Sequence, residues 1–170
     1  MNNMNDIGHR TTMALRYLYQ NSVDMQEATA QHIAHIGRDS YAKEYCTTTM
    51  KLARQTGQTQ AIANLIPYLS GTWIVTSLNM RMIENVRDRI LSLNSSGICR
   101  STLSQTIFSD LKIEYKTLVG IDNLSHYDSR VDGVIVDGAS FMKKKQIKQI
   151  YKQIVPLGCD YRCSQFILIG

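Results

Sequence analysis

Several things are scarce in this 170-residue chain, and each scarcity excludes something. There are four cysteines, Cys46, Cys99, Cys159 and Cys163. They are too few and too scattered for a disulfide framework, so a reducing, cytoplasmic setting is expected. Only two prolines and ten glycines occur, which excludes collagen-like and low-complexity chains. The opening "MNNMNDIGHR" lacks the basic start and apolar run of a secretory leader, and none is expected. Long hydrophobic runs are missing too. The most apolar stretch, "AIANLIPYLSGTWIVTSL", is broken by Asn64, Pro67, Ser70 and Gly71. A membrane span needs about 20 predominantly apolar residues, so this stretch reads as two buried helical segments. Acidic residues vanish altogether from 138 to 159.

What is present describes a globular protein: 44% of residues are hydrophobic and 19% charged, too apolar for a disordered chain. The net charge of +5 suits an anionic partner. The first ~95 residues read as helices. Asp24 and Glu27 stand at capping-box spacing, and a helix is expected to start there. Val75, Leu78, Met82, Val86, Ile90 and Leu93 mark one face of another helix, with Arg81, Glu84, Arg87 and Asp88 on its solvated side. "ARQTGQTQ" is a polar break between helices, and Pro67 is expected to kink the helix that follows. "NSSG" at 94–97 is the candidate boundary between a helical region, 1–96, and a second domain, 97–170.

The second domain changes pattern. "CRSTLSQTIFSDL" carries Leu103, Ile107 and Leu111 at helical spacing. "KIEYKTLVG" alternates like a strand. "VDGVIV" is β-branched enough for a buried strand. The Asp-Gly at 137–138 is a hairpin signal, with "ASFMK" pairing back as the next strand. "KKQIKQIYKQIV" puts Ile147, Ile150, Tyr151 and Ile154 on one helix face. Pro156 and Gly158 end that helix, and "SQFILI" is a final strand. The expected class is α+β: a helical amino-terminal region followed by a small αβββαβ core.

That order, with an acid opening the "VDGVIV" strand, resembles the core of the restriction-endonuclease-like nuclease superfamily, over about 70 residues. The resemblance implies phosphodiester hydrolysis of DNA or RNA with Mg²⁺ or Mn²⁺. Asp132 would be the first metal acid, and Lys143, Lys144 or Lys145 the lysine that stabilises the phosphate. The family's second acid precedes that lysine, yet "FMKKK" offers only Met142 or Lys143 there. Glu114 on the neighbouring strand is the expected substitute, with Asp110 and Asp137 as further candidates. Asp137 is five residues from Asp132, about 16 Å along an extended strand and on its opposite side, a poor position for a shared ion. Without an active metal site, the same core would be a nucleic-acid-binding relative. Alternatively, Asp132-Gly133 and Asp137-Gly138 are turns bracketing a core strand.

The lysines themselves, Lys143, Lys144, Lys145, Lys148 and Lys152, form a candidate basic stripe for nucleic acid, joined by Arg130. A solvated helix face is the plain alternative.

Other chemistries draw on other residues. Cys99 stands where a helix amino terminus favours thiolate, with His126 as base and Asp128 or Asp132 as orienting acid, a papain-like order of parts. A buried, inert thiol is the alternative for Cys99. His126, Tyr127, Ser129 and Arg130 are also the parts of a metal-independent ribonuclease. His32, His35 and Cys46, and the pair Cys159 and Cys163, lack the spacing of a strong zinc site. A third class is non-enzymatic: an assembly or adaptor protein, viral or phage-encoded among the options. Its helical region would dock to copies of itself through an adaptable, Met-containing face.

Overall fold

A computed structural model describes residues 3–51, 57–95, 110–122, 124, 130–158 and 163–170. The long helix α1 (Asn3–Thr29) leads through a 3-10 turn into two short helices, α2 (Ile33–Ile36) and α3 (Arg38–Tyr45). Strand β1 (Thr47–Met50), helix α4 (Gln58–Leu65), strand β2 (Gly71–Ser77) and helix α5 (Met80–Ser95) follow. Then come β3 (Leu111–Thr117), α6 (Leu118–Asp122), β4 (Gly133–Asp137), α7 (Lys144–Ile154) and β5 (Gln165–Ile169).

Among the described residues, five strands make one sheet in the order β1-β5-β4-β2-β3, and every neighbouring pair is parallel. Parallel strands cannot be joined by tight hairpins and need crossovers, usually helical, which cover both sheet faces. One face packs Ile74, Val134, Val136 and Phe166 against Tyr41 and Ala42 of α3, Ile121 of α6, and Ile150, Tyr151 and Ile154 of α7. The other packs Trp73, Val75, Ile135, Ile167 and Ile169 against Leu15 of α1, Ile62 and Leu65 of α4, and Val86 and Ile90 of α5. The result is a three-layer, helix–sheet–helix arrangement.

A mixture of helix and strand is therefore present, and β3, β4, α7 and β5 stand where the residue patterns put them. The order around them differs from the expected αβββαβ core. Two of the five strands, β1 and β2, arise within the first 96 residues. The Trp73 segment is strand β2, its run ending at Ser77, and helix α5 starts only at Met80. Asp24 and Glu27 lie inside α1 and start no helix. Pro67 sits in a 3-10 turn after α4. Asp137-Gly138 makes no hairpin: Gly138, at φ 77°, turns the chain into a 3-10 segment, Ala139–Phe141, that delivers α7. The expected helix over 99–110 and the domain boundary at 96–97 lie outside the described residues.

The middle of the sheet is tightly fitted. At Gly133 a Cβ would overlap the ring of Trp73 on the adjacent strand. The Trp73 indole N–H donates to Ser70 O at 2.9 Å, and Tyr19 meets the ring edge-on at 5.9 Å.

Candidate functional site

Asp132 enters the sheet at its amino-terminal edge. Its backbone N–H donates to Thr72 O at 2.8 Å, and its carbonyl accepts from Gln165 N–H at 2.9 Å. Its carboxylate accepts the Thr72 N–H at 2.8 Å and meets the Arg130 guanidinium at 2.6 Å. Both carboxylate oxygens are thus committed to holding the start of β2 and to Arg130. Glu114, on the outermost strand β3, lies between Lys112 Nζ at 2.7 Å and Lys116 Nζ at 3.1 Å.

These two acids are not brought together. Asp132 is level with Thr72 and hence with Lys112, so Glu114 is two strands across and two residues along. That is about 11 Å between Cα atoms, while one divalent ion needs its oxygens at roughly 2.0–2.6 Å from itself. The lysines are equally remote from Asp132. Lys143, Lys144 and Lys145 follow the opposite end of β4, about 16 Å away along the strand. The expected cluster of Asp132, Glu114 and a lysine is not assembled, because a parallel sheet sends the chain from β4 away through a crossover and never folds it back beside Asp132.

The stripe survives without that centre. Lys143, Lys144, Lys145, Lys148 and Lys152 are all exposed on or just before α7. None of them forms an ion pair among the described residues. Gln146 accepts the Lys143 backbone N–H at 2.7 Å and so fixes the start of the helix. Arg130 is exposed but engaged with Asp132. Cys99, His126, Asp128, Tyr127, Ser129 and Cys159 lie outside the described residues. His32 and His35 are exposed whereas Cys46 is fully buried, and among the described residues no three His, Cys, Asp or Glu side chains converge for a metal.

The carboxyl-terminal edge of the sheet is chemically the more unusual. Met50, Ile169, Asp137, Ser77 and Thr117 form the last row across all five strands. Asp137 is only 5% exposed, a rare state for an acid. Burial pushes its carboxyl up from 3.8 to about 6, and the Gly138 backbone N–H opposes that only in part. It has no ion-pair partner among the described residues. Strand alternation puts Asp137 on the face of Ile135, the one that α4 covers. Helix α4 starts at this same edge, where Gly57, at φ 76°, precedes Gln58 and Thr59.

The neighbouring groups are firmly held. Ser77 Oγ donates to Asp137 O at 2.8 Å. Asn79 Oδ1 accepts the Met82 N–H at 3.0 Å and caps α5. Gly170 N–H donates to Met50 O at 3.0 Å. On the opposite, α7-covered face of this edge a cleft of about 130 Å³ opens between Lys51, Ser140, Ile147 and Gly170, and Asp137 does not line it.

Two connections diverge at this edge: the chain leaves β2 for the α5 face and β4 for the α7 face. In open parallel sheets, ligands settle in the crevice outside the strand ends at such a reversal. From sequence, Asp137 reads as a turn residue and as a poor co-ligand for Asp132. Its neighbours along the edge are Ser77 of β2 and Ile169 of β5, a pairing that the local pattern did not reveal. Compared with known proteins, the sequence matches no family model and no curated protein.

Proposed function

We propose that the carboxyl edge of the sheet binds the phosphates of a nucleoside triphosphate together with Mg²⁺, in the manner of P-loop domains. The observation that carries this reading is the buried Asp137 at the end of β4, without an ion-pair partner among the described residues and on the face covered by the helix that follows β1. In P-loop proteins a strand runs through a phosphate-cradling loop into a helix amino terminus, and a second strand ends in an aspartate that helps hold Mg²⁺. Here β1 leads from Lys51 through residues 52–56 to Gly57-Gln58-Thr59 at the head of α4. β5 lies between β1 and β4, so Met50 and Asp137 are about 9.5 Å apart across the sheet.

The residues fit such a site in part. Thr59 matches the Ser or Thr of the pattern G-x-x-x-x-G-K-[ST]. Gln58 replaces its lysine and Leu52 its first glycine. Lys51, exposed at the end of β1, supplies positive charge at the mouth. One carboxylate suffices, because Mg²⁺ is commonly held by one or two acids plus the substrate's own phosphates. When bound, the ion would offset phosphate charge. Asp137 would hold it, and the α4 amides would orient the phosphates.

Calorimetric titration with ATP, with and without Mg²⁺, tests this. Saturable binding that needs Mg²⁺, and loses that need in Asp137→Asn, is expected. Absence of binding at millimolar ATP would sink the reading.

A second reading, nucleic-acid binding, is favoured by the exposed lysine stripe on α7, which starts at the same edge. Both readings hold together in a protein that uses nucleotide while holding a polynucleotide. A metal nuclease built on Asp132 and Glu114 finds no support in this geometry.

A further inference from the structure

Two thiols sit far from the carboxyl edge, and neither reading above uses them. Cys46 ends α3 and Cys163 precedes β5, both buried and both free. Both belong to the same buried cluster, and each is the group that most perturbs the other's proton affinity. The side chain of Gln26 spans both residues: its Nε2 donates to Cys46 Sγ at 3.2 Å and to Cys163 O at 2.7 Å. Gln26 is itself held, its Oε1 accepting from Gln165 Nε2 at 3.0 Å. A buried amide gripping two thiol residues from 117 positions apart in sequence is more than an apolar core needs.

The two sulfurs are not equivalent. Cys163 lines a cavity of about 160 Å³ with Gln26, Trp73, Arg130 and Asp132, whereas Cys46 does not. The neighbouring Cys46 and the Arg38 guanidinium draw the Cys163 thiol below its ordinary range, while Cys163 and burial drive Cys46 upward. A low thiolate threshold beside a cavity marks the attacking sulfur, and the adjacent second thiol is placed to resolve it.

We infer that Cys163 and Cys46 are a peroxide-sensitive pair that closes to an intramolecular disulfide. The Cys163 thiolate attacks one oxygen of hydrogen peroxide; the O–O bond breaks, hydroxide leaves, and Cys163 becomes a sulfenic acid. The Cys46 sulfur then attacks the Cys163 sulfur, the S–O bond breaks, and the departing hydroxide takes the Cys46 proton. Two thiols and one peroxide become one disulfide and two waters. The cavity admits a molecule as small as peroxide, and bulkier oxidants are expected to react more slowly.

The test is peroxide titration of the folded, full-length protein, followed by alkylation and non-reducing peptide mapping. Linked peptides containing Cys46 and Cys163, formed with one equivalent of peroxide and reversed by dithiothreitol, are expected. In Cys46→Ser, Cys163 should instead stop at sulfenic acid, trapped by dimedone. Gln26→Leu, with both thiols kept, should slow closure several-fold. Linkage of Cys163 to Cys159 or Cys99, or oxidation of Cys163 to sulfinic acid while Cys46 stays alkylatable, would overturn the inference. So would unchanged alkylation of both thiols.

Discussion

At the scale of single residues, Asp137 makes the sharpest forecast. Its folded-state pKa lies above the unfolded value, so the protonated form is the better tolerated. Its contribution to stability is complete below about pH 4 and is lost as pH rises through about 6. The cost at neutral pH is on the order of 2–3 kcal/mol. Asp137→Asn should therefore stabilise the nucleotide-free protein at pH 7 and flatten that part of the pH profile, as urea unfolding at several pH values would show. The same change should abolish the extra stabilisation that Mg²⁺ adds in the presence of nucleotide. An acid kept where it weakens the fold is a mark of use. Asp132 is its opposite. Asp132→Ala strips a backbone N–H and Arg130 of their acceptor, and should cost about 1–3 kcal/mol without altering Mg²⁺ dependence.

At the scale of elements, legibility followed how local each signal was. Helix α7 was plain, because Ile147, Ile150, Tyr151 and Ile154 repeat on one face and the lysines take the rest. Strands β4 and β5 were plain because a strand buried on both sides reads as a short apolar run. Strand β1 was not: "TTTM" is four residues long and largely polar. Nor was β2, whose Trp73-Ile74-Val75 run flows into the apolar positions of α5. Asp-Gly signals a turn, but whether that turn returns as a strand or enters a helix is decided by what covers the sheet face. The candidate site was obscured for the same reason, since Asp137, Ser77 and the head of α4 share one edge of the sheet only through non-local pairing. Helix α7 also carries its own test. Short single-stranded DNA should bind with an affinity that falls as salt rises, and Lys148→Glu with Lys152→Glu should reduce the log–log slope by about 0.7 per lost phosphate contact. Salt-independent binding would dismiss the stripe as a partner surface.

At the scale of the whole molecule, the sheet has two chemically different margins. The amino-terminal one is a fastening: Asp132, Thr72, Gln165 and Val131 are knitted by backbone and carboxylate hydrogen bonds, with Ser164 Oγ donating to Val131 O at 2.7 Å. The carboxyl-terminal one gathers a buried acid, a helix start and an open cleft. Among the described residues no helix is long and apolar enough to cross a membrane. Between the margins, fit is close enough that Gly133→Ala should cost about 1–3 kcal/mol through collision with Trp73. Calorimetry should record a drop in Tm of roughly 2–12 °C for a chain of this size.

Trp73 is also the protein's single tryptophan, and it is 1% exposed. Excited at the red edge of absorption, all emission then reports from one point near the amino-terminal edge of the sheet. That point borders the cavity shared with Cys163 and Arg130. One fluorophore, with no label added, can follow both loss of the sheet and any molecule entering beside it.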